Sequence, residues 1–539
     1  MTRICIPIFV EGGDIEDAIG QAEELLASAS SDTGMIELRC DTASPRQMLA
    51  ALDLVRVPAI VTVRPTWEGG FCQKSDKERF ALFEAAIDAG VEFLDVELIA
   101  WETSKTLRET LSDLAAKHGT KLIISNHSVD GRPKDLTERL TRLRAVKEAA
   151  MLKIAWKAQS LLDAIDALCL SAENRDRTID GRPLVALAMG EEGLISRLLA
   201  GKLGAPFTFA SAATGKESAP GQPTVSDLAT LYRWDKQSID MPVFGVVGWP
   251  VGHSLSPHIH NAGFTAVDAP GVYVPLAIQP SYEAFQTAID ALRACPHMNL
   301  RGLSVTIPHK ENAFRYVAEN AGVIDDVSHR IGAVNTIVFP PPEKLEARNS
   351  KLETHPSFHG FNTDYAGALD ALVTAWSGKR EDVQGKRVAV IGAGGVARAI
   401  VAGLTAYGAI IIIYNRTFEK AQALAAEFPG VATATMDQLA SSAPSDAYIN
   451  CTPLGMHPRT NASPLDNLNV PFHSSMVVFD TVYNPRMTKL LKQARKQGAT
   501  IVTGNEMFVR QAAIQFQAFT GKSAPLDVFR KVLATTLTR

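Results

Sequence analysis

Long apolar runs are missing from this sequence. The densest, Ala409–Tyr414, has the length of a strand and falls far short of the about 20 residues that span a bilayer. Basic clusters are missing as well. Net charge is −4 and lysine and arginine form no stripe, so nucleic acid, whose phosphates demand grouped cations, is not an expected partner. Cysteine is scarce and scattered: Cys5, Cys40, Cys72, Cys169, Cys295 and Cys451. No two make a CxxC pair and none stands beside a histidine at ligand spacing. That argues against a structural zinc site and a disulfide framework, and leaves no metal, free thiols and a reducing cytoplasm as the expectation. The opening MTRICIPIFVEGG has no long apolar run behind a basic start. It reads as a strand, so no signal peptide is expected.

What is present is a large, ordinary globular composition. The chain has 539 residues, 46% hydrophobic and 21% charged. Single cores stop growing at roughly 250–300 residues, so at least two sizeable domains are needed. In the first half, short β-branched runs recur in order: Arg3–Phe9, Met35–Cys40, Ala59–Arg64, Phe93–Leu98, Lys121–His127, Met151–Trp156, Leu184–Met189 and Pro206–Ala210. Helical patterns such as Asp14–Ala29, Lys77–Ala89 and Lys134–Ala149 separate them, and Thr224–Trp234 reads as a last helix. Strict alternation predicts a parallel sheet, and eight units in this length favour a closed (β/α)8 TIM barrel over residues 1–236.

In such a barrel the reactive end is at the C-termini of the strands, so the polar residues there carry the information. Glu37 and Arg39 fall on one face by period-two alternation. Arg64 ends the third strand and leads into Pro-Thr-Trp-Glu68-Gly-Gly; His127 ends the fifth; Arg197, Ser218 and Gln222 sit in the last two loops. Lys153 stands inside the apolar run Met-Leu-Lys-Ile-Ala-Trp. Burial there favours a neutral amine, which attacks ketones and forms a Schiff base. The alternatives are an ion pair of Lys153 with Glu37 or Asp95, a structural hydrogen-bonded His127, and a plain Glu37–Arg39 salt bridge. Together the motifs ELRCD, RPTWEGG, SNHS, MLKIA, GLISRLLAGKLGAPFTF and SAPGQ resemble the type I 3-dehydroquinate dehydratases over residues 1–235. The resemblance implies an imine between Lys153 and the substrate ketone, His127 as general acid/base, and Glu68 orienting it. It also implies Arg197 on the ring carboxylate, with Glu37, Arg39, Arg64, Ser218 and Gln222 shaping the pocket or holding hydroxyls.

Residues 237–242 are short, polar and closed by Pro242, which reads as a linker. Beyond it, Val243–Val247, Val272–Ala277, Gly302–Ile307 and Val334–Phe339 are candidate strands of a smaller α/β unit, residues 243–378. Then a strand, Val388–Ile391, runs into Gly392-Ala393-Gly394-Gly395-Val396-Ala397 and a helix. Glycine there lets the backbone approach a pyrophosphate at a helix N-terminus, which marks a Rossmann domain at 379–505. The next strand ends in Asn415-Arg416-Thr417 with no acid; a guanidinium suits the 2′-phosphate of NADP(H). Ser254 and Ser256 read equally as helix caps, Lys310 as a helix N-terminal residue and Asp364 as a cap before Tyr365.

The motifs SLSP, TIPHK, GAVNT, GFNTD, IGAGGVARA, NRT, NCTPLGM, DTVYNP and GNEMFVRQA resemble the shikimate dehydrogenases over residues 243–537. That resemblance implies Lys310 and Asp364 as the catalytic pair, and Ser254 and Ser256 on the carboxylate. Thr306, Asn335 and Gln511 would meet ring hydroxyls, Gly504 and Met507 would border the nicotinamide, and the helices of 506–539 would return to the substrate domain. Ser304 replaces the asparagine usual before Val-Thr, and Pro340–Ser357 is an unusually long loop. The joint expectation is two consecutive steps: dehydration of 3-dehydroquinate and NADPH-dependent reduction of the product to shikimate. The partners are then small acids, with neither nucleic acid nor membrane, and a monomer is compatible with both folds. A regulator that senses quinate or shikimate without turnover would have discarded Lys153, His127, Lys310 or Asp364; a quinate dehydrogenase using NAD would not need Arg416.

Overall fold

The computed structural model describes residues 2–11, 14–29, 34–176, 181–295, 297–340 and 358–537. The described residues form two compact units, one of 1–253 with 270–300, the other of 254–269 with 301–539.

In the first unit eight parallel strands appear as anticipated: β1 (Arg3–Phe9), β2 (Gly34–Arg39), β3 (Ala59–Thr62), β4 (Phe93–Glu97), β5 (Lys121–Ser128), β6 (Ala149–Lys157), β7 (Leu184–Met189) and β8 (Phe207–Phe209). Hydrogen bonding runs β7-β6-β5-β4-β3-β2-β1-β8, so the barrel is nearly closed, with β7 and the three-residue β8 as the two ends of the ladder. Alternation explains both faces. Inward side chains begin as an apolar plug that includes Cys5, Met35, Ile60, Phe93, Ile123 and Met151. Two residues further along most of these strands they turn polar: Glu37, Thr62, Asp95, Ser125 and Lys153 are buried. The outward residues Ile36, Leu38, Val61, Leu94, Val96, Ile124 and Ile154 are sealed as well, as a parallel sheet clothed in helices requires. The helix Asp76–Asp88 starts at a reciprocal cap between Ser75 and Glu78, a strong stop–start signal.

Two expectations are corrected here. Thr224–Trp234 is not one helix but a five-residue π-type turn at Asp227–Leu231 and a 3-10 turn at Trp234–Lys236. Arg233, at φ 53°, breaks the helical path between them. Nor are all six cysteines free. Cys169 and Cys295 form a disulfide across 126 residues of sequence, a pairing no local spacing reveals; Cys5, Cys40, Cys72 and Cys451 are free. The unit is completed by β9 (Val243–Gly248) and β10 (Val272–Ala277), a parallel pair.

In the second unit β11 (Leu300–Val305) pairs antiparallel with β13 (Thr336–Val338), which pairs antiparallel with β14 (His359–Phe361); β12 (Val323–Ile324) joins β14 in parallel. A six-stranded parallel sheet follows: β15 (Arg387–Ile391), β16 (Ile410–Tyr414), β17 (Ala432–Ala434), β18 (Ala447–Asn450), β19 (Val477–Asp480) and β20 (Thr500–Val502), in the order β17-β16-β15-β18-β19-β20. The order reverses at β15, and the crevice beyond the C-termini of β15 and β18 is where such sheets bind ligands. Residues 341–357, nearly all of the long loop, lie outside the described residues. Among the described residues no helix is long and apolar enough to cross a membrane.

Candidate active sites

The barrel's polar layer opens into a cavity of about 300 Å³. All nine barrel residues singled out from sequence line it: Lys153, His127, Glu68, Glu37, Arg39, Arg64, Arg197, Ser218 and Gln222. Lys153, on β6, is 4% exposed. Its Nζ lies 3.0 Å from Asp95 Oδ2 and 3.8 Å from Glu37 Oε1, and 4.7 Å above the Phe209 ring. The ion-pair alternative and the pocket position therefore coexist. Asp95 is held well below the usual carboxylate range: burial opposes ionisation, but Arg64 and Lys153 outweigh it.

His127 Nδ1 meets Glu68 Oε2 at 2.8 Å. Burial pushes the imidazole well below its ordinary value, and the cations Arg64 and Lys153 add to this. Glu68 is pushed up to about 8, first by burial, against the pull of Arg64. Arg64 reaches Asp95 at 2.6 Å, Ser125 at 2.9 Å, Glu68 at 3.1 Å and Glu97 at 3.2 Å. It is thus committed to carboxylates rather than to open pocket space. Arg197 is different. It is 2% exposed, its Nε has no hydrogen-bond partner among the described residues, and burial alone draws its guanidinium down to about 10. A buried cation lining a cavity without an acid beside it is costly, and an anion bound there would offset that cost. Ser218 Oγ accepts from Gln222 Nε2 at 3.0 Å, fixing the last loop.

Sequence reading named Asp95 only as a possible ion-pair partner of Lys153 and did not flag Glu97, though the run Phe-Leu-Asp-Val-Glu carried the signal. Period two puts both acids on the face of Phe93, as it does Glu37 and Arg39 on β2.

In the second unit Lys310 opens the helix Lys310–Glu319 and Asp364 lies in the first turn of the helix Thr363–Ala375. Their side chains meet at 2.5 Å, Nζ to Oδ2. The cap of the second helix is Asn362, whose side chain accepts from Asp364 N at 3.0 Å; the alternative that made Asp364 the cap is corrected, and its carboxylate is left for Lys310. Asn335 Oδ1 accepts from Thr363 N at 2.8 Å, and Thr363 Oγ1 donates to Gln511 Oε1 at 3.2 Å. Ser254 Oγ accepts from Ser256 N at 3.3 Å, shaping the first turn of the helix Ser256–Ala266. Among the described residues no hydrogen bond or ion pair ties Thr306, Ser254 or Ser256 to the Lys310–Asp364 pair. Ser304 Oγ donates to buried Gln515 Oε1 at 2.9 Å.

The crevice at the sheet reversal is a cavity of about 500 Å³ bordered by Gly392, Ala393, Gly394, Asn415, Arg416 and Thr417. Gly392 has φ 115°, and a Cβ there would lie 3.1 Å from the backbone of Cys451, so only glycine lets β15 turn this tightly beside β18. Arg416 is exposed and in no ion pair among the described residues. Lys420 and Arg459 also line the cavity, and no motif flagged them. Gly395 and Val396 start the helix Gly395–Ala406, and Ala397 is fully buried in the core. Gly504 begins the helix Gly504–Thr520, and Met507 packs into the same core. The glycine turn and the unpaired cations fit a dinucleotide carrying an extra phosphate. No metal-ligand cluster occurs among the described residues.

Comparison with known proteins follows the same division. Family models match for type I 3-dehydroquinase over residues 4–239 and for the shikimate dehydrogenase substrate binding domain over 246–337. Further matches are shikimate / quinate 5-dehydrogenase over 376–494 and the shikimate 5′-dehydrogenase C-terminal domain over 504–534. The chain is 34% identical to the chloroplastic bifunctional 3-dehydroquinate dehydratase/shikimate dehydrogenase of Arabidopsis thaliana, across 98% of this chain and 84% of that protein. The chain belongs to the bifunctional dehydroquinate dehydratase/shikimate dehydrogenase family. Its second half is also 37% identical to the NADP(+) shikimate dehydrogenase of Carboxydothermus hydrogenoformans, over 54% of this chain and 95% of that one. It is 38% identical to that of Methanosarcina mazei, over 55% and 98%. In a bifunctional family member the two polar clusters have separate tasks, one in a barrel and one beside a nucleotide fold.

Proposed function

We propose that this bifunctional enzyme of aromatic amino-acid biosynthesis dehydrates 3-dehydroquinate in the barrel and reduces the resulting 3-dehydroshikimate to shikimate in the second half. The observation that carries the proposal is the convergence of Lys153, His127, Glu68 and unpaired Arg197 on one small cavity. Arg197 takes the ring carboxylate, which brings the C3 ketone toward Lys153. The amine adds to that carbonyl and water leaves, giving an iminium. Its positive nitrogen acidifies the C2–H bond. His127 removes that proton, and the C–H electron pair moves into an enamine. The enamine then expels the C1 hydroxyl, protonated by His127, as water. Hydrolysis of the imine frees the product and Lys153. Glu68 orients the imidazole, and Glu37, Arg39, Arg64, Ser218 and Gln222 hold the ring or the shape of the pocket.

In the second half Ser254 and Ser256 would hold the carboxylate, and Thr306, Asn335 and Gln511 the hydroxyls. Lys310, kept in place by Asp364, gives a proton to the C3 oxygen as the ketone is reduced. NADPH supplies the hydride when bound. Gly392 to Ala397 would cradle its pyrophosphate; Asn415, Arg416 and Thr417 would take the 2′-phosphate; Gly504 and Met507 would border the nicotinamide. The proposal places the dehydratase at 1–236, a linker at 237–242, the substrate domain at 243–378, the NADP domain at 379–505 and returning helices at 506–539. It includes a cytoplasmic protein without a metal, for which a monomer is compatible with both folds.

The test is purified protein with 3-dehydroquinate and NADPH, followed by cofactor absorbance. Lys153→Ala should slow the reaction by about a thousandfold or more, the scale of losing a covalent nucleophile, and added dehydroshikimate should restore it. Lys310→Ala should fail with either substrate while still forming dehydroshikimate. No cofactor oxidation by wild type with either substrate would refute the enzyme and favour a sensor.

A further inference from the structure

Outside the pocket, the most unusual charge in the molecule is Arg79. It sits in the helix Asp76–Asp88, on the far side of β3 and β4 from the cavity, and its side chain is fully buried. Its guanidinium pairs with Glu97, itself fully buried, and touches Val63 O at 3.4 Å and Asp76 at 3.2 Å. It lies 5.2 Å from the centre of the Trp67 ring. A fully buried arginine is costly, and a helix packed on a barrel gains as much from a leucine. The partners it has kept suggest what it does.

Glu97 Oε1 accepts from Arg64 Nη1 at 3.2 Å, and that same Nη1 holds Glu68 Oε2 at 3.1 Å. Glu68 Oε2 in turn meets His127 Nδ1 at 2.8 Å. Trp67, under which Arg79 lies, is the residue before Glu68 in the turn Thr66–Glu68. Two independent routes from Arg79 therefore end on the carboxylate that faces the histidine. Arg64 serves three buried carboxylates, Asp95, Glu97 and Glu68. Without a second cation on Glu97, that acid would draw Nη1 away from Glu68.

We infer that Arg79 is a positioning residue for the dehydration, fixing the Glu68–His127 contact from outside the barrel by neutralising Glu97. The inference rests on the dehydratase reading of the barrel. His127 faces Glu68, Arg64, Lys153, Asp95 and Arg39 from the elements around it. Burial raises the Glu97 carboxyl, and Arg64 and Arg79 oppose that rise; with Arg64 still holding Glu97 ionised, loss of Arg79 leaves this network more negative, so the imidazole accepts a proton more readily and loses its role as base at a higher pH.

The experiment uses the full-length chain with Arg79→Gln and Arg79→Lys. Measured are kcat and KM for dehydration, the pH profile of kcat, borohydride trapping of the Lys153 imine, and shikimate oxidation by the same preparations. Arg79→Gln should lower the dehydration kcat by about tenfold or more, the cost of a small misplacement of a reacting group, with KM within about twofold, because Arg197, which takes the carboxylate, lies outside this network. Its acid limb should move to higher pH and its shikimate oxidation should match wild type. Arg79→Lys, which keeps the charge, should recover most of kcat and the wild-type limb. Equal profiles for Arg79→Gln and wild type, or the same fall in both variants with no movement of the limb, would overturn the inference and leave Arg79 as a brace for its helix. If Arg79→Gln does not fold, Arg79→Lys decides: a limb displaced upward despite the retained charge overturns the inference, and a wild-type limb with near-normal kcat supports it. Failure of wild type itself to trap an imine would refute the dehydratase reading instead.

Discussion

His127 and Glu68 touch at 2.8 Å, yet burial moves them in opposite directions, the imidazole down and the carboxyl up to about 8. Both shifts favour the uncharged form. The consequence for rate has a definite sign. A histidine lowered in the folded state stays neutral below its ordinary 6.5, so a base built on it keeps working there and is lost only as pH falls through its depressed value. The acid limb of kcat for dehydration should accordingly lie below pH 6.5; a limb at or above that value would contradict the surround described for His127. The same depression costs stability in acid, because the unfolded chain takes up the proton first. The nine sequence-derived barrel residues were legible because Glu37, Arg39 and Lys153 stand on alternate strand positions, Arg64 and His127 fall at strand ends, and Glu68, Arg197, Ser218 and Gln222 sit in the turns and loops that follow. Glu97 was passed over, and Asp95 weighed only as an ion-pair partner of Lys153, because acids inside a strand that reads as core look like structural ions.

At the scale of elements, the helices Thr363–Ala375 and Gly504–Thr520 set the distance between Asp364 and Gln511. Their contact depends on Gly367, where a Cβ would stand 2.8 Å from Gln511 N and 3.0 Å from Met507 O. Gly367→Val should separate them. Overpacking of this kind costs about 1–3 kcal/mol, visible as a lower melting temperature. kcat/KM for shikimate oxidation should fall while dehydration is retained; equal activities in the variant would show that the helix spacing is not what aligns this site. Strands were the most legible elements, since runs such as Leu184–Met189 and Val272–Ala277 match their boundaries to the residue. They are apolar or aromatic throughout. Thr224–Trp234 misled because its periodicity is helical and the break is conformational: nothing in the letter Arg announces a positive φ at 233.

For the molecule as a whole, residues 237–242 are short and polar in sequence but are tied down in space. Gln237 Nε2 donates to Leu198 O at 2.8 Å and to Tyr232 O at 3.1 Å, buried Lys202 donates to Ile239 O, and Asn299 Nδ2 donates to Asp240 O at 2.7 Å. All but the Tyr232 contact are long-range, which is why composition alone suggested a bare connection. Native protein should therefore resist trypsin after exposed Lys236. Removing the Gln237 and Lys202 contacts together should speed that cleavage several-fold, since each hydrogen bond is worth about 1 kcal/mol, or about fivefold in the opened population. Cleavage at the wild-type rate would mean the segment is held by packing alone.

Buried Arg197, with no carboxylate beside it, makes the empty barrel a folded state with an electrostatic debt. Any acid that settles it binds the native form and not the unfolded one, so the free energy of binding adds to that of folding. The durability of this half of the enzyme then follows the supply of its own substrate.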